Sequence, residues 1–313
     1  MRVGVMFPCR LSPRRLVEYA RRAEDAGLDE LWVVEDCFFA GGIATAGAAL
    51  AATSRLTVGI GILPAVARNP AFTAMELAAL AELHPGRLVG GIGHGVPAWM
   101  RQVGAYPASP LTALDETLRA VRGLLAGETV SLAGLTEVAL DFPPAVVPPV
   151  LAGVRGPRSL RVSGASADGT ILAEPCPPSY VRWARDRIAE GGGTAAHRVV
   201  TYQPFAVADD PAVARAALRD PLAAALGPAV RPHLTGLPFA DELAELVDAG
   251  MSGERLRDEW IDALAVCGTA RDCLARLREL SEAGTDTAVL VPMPGSDESA
   301  AIAAAGRLAE RSR

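Results

Sequence analysis

The chain has 313 residues, of which half are apolar and about a fifth are charged, a composition typical of a packed globular protein and not of a disordered one. Its formal net charge of -6 offers no basic surface for a nucleic-acid backbone. No apolar run reaches the roughly 20 residues that a membrane helix requires, and the opening MRVGVMF predicts a strand and not a signal peptide. We therefore expect a cytoplasmic protein that binds neither nucleic acid nor membrane.

The residues that most often bind metals show no motif spacing. The cysteines include no C-x-x-C pair and the histidines no H-E-x-x-H, so we predict free thiols and no bound metal. They are Cys9, Cys37, Cys176, Cys267 and Cys273, and His84, His94, His197 and His233. All 30 basic side chains are arginines, which excludes Schiff-base chemistry and the lysine of a phosphate-binding P-loop.

Apolar runs with strand character alternate with helix-like stretches along the first half of the chain. A strand over residues 3–7 is followed by Ser12 and Pro13, which predict a helix start, and Gly27 ends that helix. Further strands are predicted over 31–34, 56–63 and 87–92, and the intervening helices end near Thr53 or begin near Pro70 and Ser109.

The second half continues the same alternation. Strands over 150–154, 168–174, 198–208 and 288–293 alternate with helices over 157–164, 179–188 and 211–264, and with helices after Thr269 and after the last strand. Eight strands alternating with helices predict an α/β fold of the (β/α)8 TIM-barrel type. A doubly wound sheet would carry a glycine-rich fingerprint after its first strand, and MRVGVMFPCRLSP contains none. We expect a single domain over residues 1–313, with insertions near 128–147 and 209–265 at the C-terminal face of the barrel.

Glycines cluster at the ends of three predicted strands, where a TIM barrel carries its active site. They are Gly59 and Gly61, then Gly90, Gly91, Gly93 and Gly95, then Gly153 and Gly156. Glycine weakens a strand, so its presence in each cluster requires an explanation. The explanation is either close packing or the contact of a flat ligand with bare backbone. Their occurrence at one rim favours the flat ligand.

The stretch GVRGPRSL after the fifth strand is a second candidate site. Its glycines and Pro157 leave free N–H groups at a helix start, and Arg155 and Arg158 add positive charge. The pattern predicts either an anion site or an ordinary turn. Inside a barrel, a phosphate-bearing cofactor is the natural occupant.

Polar side chains at two further strand ends are candidates for catalysis. In WVVEDCFF the residues Glu35, Asp36 and Cys37 are consecutive, and because side chains alternate along a strand they cannot all face the mouth. Asp36 is interpreted as a site residue or a helix cap, and Cys37 as a site residue or an inert core thiol. His94, flanked by glycines, is favoured as a site residue, whereas His84 is interpreted as structural.

Four stretches together resemble a known family. They are YARRAEDAGLDELWVVED, AALAATSRLTVGIGILP, NPAFTAMELAALAELHPGRLVGGIGHG and LAGVRGPRSLRVSGASADGTILAE. The chain resembles the bacterial luciferase-like flavin- or deazaflavin-dependent oxidoreductases, and especially the branch of methylenetetrahydromethanopterin reductase.

The resemblance implies a (β/α)8 barrel, usually dimeric, with a flavin or deazaflavin ring at its mouth and the phosphate near the ends of the fifth and sixth strands. It also implies a cis peptide bond between Gly61 and Ile62. By similarity, the cofactor-binding residues are Asp36, Gly61, Ile62, Gly93, His94, Gly153, Val154, Arg155, Gly156, Glu174 and Pro175. The chain departs from the family at Cys37, where relatives often have histidine, and at His94, where many have proline or glutamate.

From the resemblance we expect a reductase that uses reduced coenzyme F420 and transfers a hydride from C5 of the deazaflavin to a C=C or C=N bond of a small organic substrate. His94 is the expected proton donor, because the ordinary pKa of an imidazole is about 6.5, with Glu35 and Cys37 as further candidates. The alternatives are an FMN-dependent luciferase-like monooxygenase and a non-catalytic flavin-binding barrel. We expect a homodimer.

Overall fold

Eight parallel strands close into a barrel in the computed structural model, which describes residues 1–312. The strands of the sheet are β1 (Arg2–Met6), β2 (Glu30–Val33), β3 (Thr57–Ile60), β4 (Leu63–Pro64), β5 (Leu88–Gly93), β6 (Val150–Gly153), β7 (Gly169–Leu172), β8 (Arg198–Val207), β9 (Val266–Gly268) and β10 (Thr287–Pro292). The barrel closes at β10, which pairs with β1 on one side and with β8 on the other. The short strands β4 and β9 are additions that pair with the ends of β5 and β8.

The (β/α)8 barrel predicted from the sequence is confirmed, with two differences in its strands. The predicted third strand, 56–63, is divided into β3 and β4, because Gly61 and Ile62 leave the ladder between them. β9 was not predicted, since its three residues are too few to show a period.

Helices cover the outside of the barrel. They are α1 (Leu16–Asp25), α2 (Gly42–Ala52), α3 (Pro70–Leu83), α4 (Pro97–Gln102), α5 (Pro110–Leu125), α6 (Pro157–Ser166), α7 (Pro178–Glu190), α8 (Pro211–Ala225), α9 (Ala240–Asp248), α10 (Asp258–Leu264), α11 (Ala270–Glu282) and α12 (Glu298–Ser312). Short 3-10 turns lie at Pro13–Arg15, Pro228–Leu234 and Gly253–Arg255. The helix predicted over 211–264 is thus α8, α9 and α10 with two of these turns between them. Glycines and prolines at 227, 228, 232, 236 and 238 interrupt it after α8, and glycines at 250 and 253 interrupt it after α9.

Side-chain caps fix where several helices begin. The Ser109 hydroxyl accepts from the Thr112 N–H at the start of α5. Thr269 and Asp272 form a reciprocal capping box at the start of α11. Caps of this kind each stabilise a helix by about 0.5–2 kcal/mol. They set the lengths of the loops that connect the strands to these helices.

Alternation along the strands divides the buried side chains into two layers. One set, including Val5, Leu31 and Leu290, packs outward against the helices. The other set, including Trp32 and Tyr202, fills the inside of the barrel. Residues that continue the inner set beyond the strand ends therefore face the mouth.

A buried carboxylate lies inside the other end of the barrel. Glu30 is completely buried and accepts hydrogen bonds from Arg198, from Arg2 and from the indole of Trp32 at 2.9 Å. A cavity of about 450 Å³ lies at the same end, lined in part by Arg2 and Asp286. Because TIM barrels carry their active sites at the opposite face, we interpret this end as structural.

Candidate active site at the mouth of the barrel

The carboxyl ends of β3, β5 and β6 approach one another closely at glycines. A Cβ atom on Gly93 would lie 2.8 Å from the carbonyl oxygen of Gly153, and one on Gly153 would overlap the side chain of Ile62. Close packing therefore requires these glycines. The same packing leaves partly exposed backbone at Gly61 and Gly153 on the rim, so the two explanations of the glycine clusters are compatible here.

Three strand ends at the mouth carry cis peptide bonds. The bond between Gly61 and Ile62 is cis, as the family resemblance implied. The bond between Cys37 and Phe38, after β2, is also cis, and so is the bond between Glu174 and Pro175, after β7. The last two were not predicted from the sequence.

Two aromatic side chains form the floor of the mouth. Trp32 and Tyr202 lie edge to face, with their ring centroids 5.9 Å apart and their planes at 73°. A Cβ atom on Gly59 would lie only 2.5 Å from the indole of Trp32, and one on Gly61 would overlap the Tyr202 hydroxyl. Glycines on β3 and just after it therefore make room for both rings.

Asp36 is one of three acidic side chains, with Glu174 and Glu30, whose charges reach the floor. It follows Trp32 by four residues, beyond the end of β2, where it continues the inner set, and its charge adds to burial and to Glu174 in raising the pKa of Tyr202. The Cys9 thiol donates a hydrogen bond to Asp36, with Sγ 3.6 Å from Oδ2. Burial raises the pKa of Asp36, partly offset by that bond, and burial together with Asp36 raises the pKa of Cys9 to about 11. Cys9 thus stays a thiol.

Glu35 lies away from the mouth and is held by other groups. Its carboxylate accepts two hydrogen bonds from Arg68, at 3.0 and 2.9 Å, and a third from the N–H of Gly42 at 2.7 Å. Gly42 is the first residue of α2, so Glu35 also stabilises a helix start. These contacts hold Glu35 in structural hydrogen bonds to Arg68 and to α2.

Cys37 lies partly exposed after β2. Burial, together with the charges of Glu35 and Asp36, raises the pKa of its thiol. A raised pKa keeps the sulfur protonated and weakens it as a nucleophile. The side chains that follow it, Phe38 and Phe39, are exposed at the rim.

His94 follows β5 and is tied to the start of α6. Its Nε2 lies 3.0 Å from the hydroxyl of Ser159, and its Nδ1 is buried. Burial lowers the pKa of His94 below 6.5, partly offset by a hydrogen bond with the backbone of Pro110, so the imidazole is neutral at neutral pH. His94 therefore joins the rim of β5 to the expected phosphate end.

Residues 153–156 lead into the start of α6 and keep the features of an anion site. Val154 is buried, Arg155 is exposed, and a Cβ atom on Gly156 would meet open space. The N–H groups in the first turn of α6 have no acceptor within the helix. The Tyr180 hydroxyl donates to the carbonyl of Arg155 at 2.9 Å, which fixes this loop.

The loop after β7 is held by the segment between β8 and β9. The Nδ1–H of His233 donates to the carbonyl of Pro175 at 2.8 Å, and the His233 ring stacks on Tyr180. Burial, followed by the charge of Arg155, lowers the pKa of His233 to about 3, so it stays neutral. Burial raises the pKa of Glu174, and Asp36 adds to this rise.

The structure gathers most of the expected residues around one mouth. Asp36, Gly61, Ile62, Gly93, His94, Gly153, Val154, Arg155, Gly156, Glu174 and Pro175 lie at neighbouring strand ends, whereas Glu35 lies outside them. Sequence reasoning missed Cys9, Ser159, Tyr202 and His233. Strand alternation offered a signal for Tyr202 alone, since it is two residues from the buried Val200 on the inner face of β8.

Two further observations concern ligands and membranes. Among residues 1–312, no three His, Cys, Asp or Glu side chains are grouped as a metal site would need. Within the same range, no helix combines the length and the apolar character that crossing a bilayer demands.

Comparison with known proteins identifies relatives over nearly the whole chain. The model of the family described as luciferase-like monooxygenase matches residues 1–287. A 5,10-methylenetetrahydromethanopterin reductase of Methanolobus tindarius is 27% identical, over 98% of this chain and 99% of the relative. The enzyme of the same name from Archaeoglobus fulgidus is 26% identical, over 98% of each chain.

Solved structures share the fold. An F420-dependent secondary alcohol dehydrogenase, in complex with an F420–acetone adduct, superposes with a TM-score of 0.80 at 22% identity, over 100% of this chain and 99% of the other. The oxygenating constituent of 3,6-diketocamphane monooxygenase from Pseudomonas putida, in complex with FMN, has a TM-score of 0.74 at 18% identity, over 98% and 96%. At these identities the likeness shows the fold.

Proposed function

The chain belongs to the family of luciferase-like monooxygenases and is an oxidoreductase, and from this premise we propose that it is an F420-dependent reductase. When bound, reduced F420 supplies a hydride from C5 of its deazaflavin to an electron-poor carbon of a C=C or C=N bond in a small organic substrate. The observation that carries the proposal is the match to methylenetetrahydromethanopterin reductases over 98% of the chain.

The residues at the mouth fit a flat ring whose side chain carries a phosphate. Gly61 presents bare backbone beside an aromatic floor, and Gly93 and Gly153 add no side chains to the rim. Arg155 and the first-turn N–H groups of α6 offer the positive potential that a phosphate needs. We therefore propose the cofactor-binding set Asp36, Gly61, Ile62, Gly93, His94, Gly153, Val154, Arg155, Gly156, Glu174 and Pro175.

Reduction of the substrate also consumes a proton, which a side chain at the mouth must deliver. We propose His94 as the donor, because its imidazole is partly exposed at the rim and contacts Ser159 through one nitrogen. Its lowered pKa means that the protonated form grows as the pH falls. Asp36 is the alternative donor, because burial lets it keep its proton to a higher pH than an ordinary carboxyl. Glu35 and Cys37 are weaker candidates, the first because Arg68 holds it.

The test is a pair of titrations of the purified protein, with F420 and with FMN, followed by turnover assays with reduced F420 and a panel of enones and imines. Tight binding of F420, weak binding of FMN and oxidation of reduced F420 by a member of the panel are expected. Tight binding of FMN with no affinity for F420 overturns the proposal.

An FMN-dependent monooxygenase is the second candidate function. The observation that favours it is the FMN complex of a monooxygenase on the same fold. F420 and FMN both carry a tricyclic ring and a phosphate, so the same rim serves either. Oxygen consumption in the presence of reduced FMN distinguishes this candidate. A barrel that binds a flavin without catalysis would show binding and no turnover with any acceptor.

We further propose a homodimer that forms through α2 and α3. The eleven residues of α2 include no charged side chain, and Ala44 and Ala48 are exposed on it. On α3, Phe72, Met75 and Leu83 share one face and are 64%, 53% and 72% exposed. An apolar face of this size on two adjacent helices is typical of a subunit interface. A second copy of the chain, as the resemblance implies, would cover it.

We also propose that residues 1–313 form one barrel domain that acts in the cytoplasm. The segments near 128–147 and 209–265 are insertions in this proposal: the first contains an isolated bridge between Val130 and Val138, and the second contains α8, α9 and α10. Five free cysteines suit a reducing compartment.

A further inference from the structure

The hydroxyl of Tyr202 is a buried polar group that no side chain or backbone group of the described chain satisfies. Tyr202 is 4% exposed, and its Oη has no hydrogen-bond partner among residues 1–312. Most buried hydroxyls in proteins are hydrogen-bonded, because an unpaired one destabilises the folded state. A phenylalanine would fill the same space without that penalty. The hydroxyl therefore needs an explanation outside the packing of the barrel.

Its position lies directly beneath the expected ring site. The hydroxyl occupies the space that a side chain at position 61 would fill, and Trp32 lies 3.3 Å from the same point. Gly61 itself is partly exposed at the mouth. The phenol thus reaches across the barrel from β8 and ends against the glycine on the opposite side.

The phenol of Tyr202 is protonated and neutral, so its hydroxyl can donate a hydrogen bond. Burial raises the pKa of Tyr202 well above its usual value, and the carboxylates of Glu174, Asp36 and Glu30 add to the rise. The phenol therefore keeps its proton across the physiological range. A neutral phenol beneath the rim can donate one hydrogen bond to an acceptor that enters from the mouth.

We propose that the Tyr202 hydroxyl donates a hydrogen bond to an acceptor atom on the edge of the cofactor ring that binds against Gly61. The inference deepens the proposed function and rests on it, because it requires a flat heteroaromatic ligand with a carbonyl oxygen or ring nitrogen at its inner edge. Deazaflavin and flavin rings both carry such atoms. Tyr202 is then a cofactor-binding residue that sets how deeply the ring enters the barrel.

The neighbouring residue on the same strand supplies a matched control. Thr201 is fully buried, and its Oγ1 also has no hydrogen-bond partner among residues 1–312. It alternates with Tyr202, so it lies on the opposite side of β8 and away from the mouth. Thr201→Val and Tyr202→Phe each remove one unpaired hydroxyl with little change in shape.

The experiment measures the thermal midpoint of the protein without cofactor and its dissociation constant for F420. For Tyr202→Phe, we expect a midpoint that is unchanged or raised by roughly 1–3 °C, together with a dissociation constant raised roughly 3- to 10-fold. For Thr201→Val, we expect the same change in midpoint and an unchanged dissociation constant. A variant with a damaged fold would have both a lower midpoint and weaker binding. Weaker binding with a midpoint that is unchanged or raised therefore identifies a contact with the ligand.

Three results overturn the proposal, and they are distinguishable. A lowered midpoint in Tyr202→Phe means that the hydroxyl has a partner within the protein. A raised midpoint with unchanged affinity means that the hydroxyl contacts no cofactor. If the wild-type protein binds neither F420 nor FMN, the proposed function fails first and the Tyr202 contact fails with it.

Discussion

The Glu35 carboxylate and the Arg68 guanidinium form a two-point ion pair, with Nε 3.0 Å from Oε1 and Nη2 2.9 Å from Oε2. Arg68 also pairs with Glu76 of α3 at 2.8 Å, and Glu35 accepts from the first N–H of α2. The pair therefore ties the end of β2 to the starts of two helices. This structural role explains why Glu35 lies beside the active site although it takes no part in proton transfer.

The first prediction concerns this pair. Glu35→Gln should lower the free energy of unfolding by about 1–2 kcal/mol, because charge-assisted bonds in a mostly buried place become neutral ones. The pH dependence of turnover should keep the wild-type shape. Urea unfolding and a pH–rate profile measure the two effects. A profile that loses one limb would return Glu35 to the list of proton donors.

Asp36 gives a prediction about stability and pH. Its pKa is raised in the folded protein by burial, so the folded state binds its proton more tightly than the unfolded state does. Stability from this group is therefore present at low pH and is lost as the pH rises above the ordinary aspartate pKa of about 3.9. Asp36→Asn should raise the thermal midpoint at pH 7 by roughly 1–3 °C and have no effect near pH 3.

The control for this prediction is Cys9→Ala, which removes the donor to Asp36. It should lower the midpoint more at pH 7 than at low pH, because the thiol stabilises the charged form of Asp36. A stabilisation by Asp36→Asn that is equal at both pH values would show that the gain does not come from removing a buried charge.

Two substitutions distinguish proton donation by His94 from phosphate binding at the start of α6. His94→Gln keeps a side chain able to bond Ser159 but cannot carry a proton, so turnover should fall roughly 100-fold and the affinity for F420 much less. In the wild type, the rate should rise as the pH falls toward the lowered pKa of His94. Ser159→Ala should instead weaken F420 binding. An unchanged turnover in His94→Gln would remove His94 as the donor and leave Asp36.

The proposed dimer is tested on the exposed face of α3. Phe72→Glu combined with Leu83→Glu should convert the dimer into monomers, because each copy would bring two charges into the buried interface. Sedimentation equilibrium measures the mass. Val213→Glu, at a position on α8 that is 59% exposed, is the matched control and should stay dimeric. A wild-type protein that sediments as a monomer at micromolar concentration contradicts the proposal.

Much of the barrel follows from local patterns in the sequence. Each of these patterns extends over fewer than ten residues: apolar runs of strand length, proline and hydroxyl caps at helix starts, and glycines at helix ends. All eight barrel strands were predicted from them. The division of residues 56–63 into β3 and β4 was not predicted, because both parts are equally apolar. Only pairing with the neighbouring strands decides where the ladder is interrupted.

The site was predictable to the extent that it lies at strand ends. Alternation shows that Glu35 and Asp36 face opposite ways, but it cannot say which one faces the mouth. That depends on Arg68, which is 33 residues further along the chain. The contact between His233 and Pro175 spans 58 residues and depends on how α8 and the turn after it fold back, which no local signal reveals.

The crowding of Gly93 against Gly153 limits how this enzyme could acquire a new substrate. Any side chain at position 93 would meet the main-chain oxygen of Gly153, so even an alanine there requires the backbone to shift, and any side chain at 153 would require the side chain of Ile62 to move. Directed evolution would therefore recover few viable variants at these two positions. Useful diversity should come from the loops after β7 and β8, where side chains can change length while the barrel stays as it is.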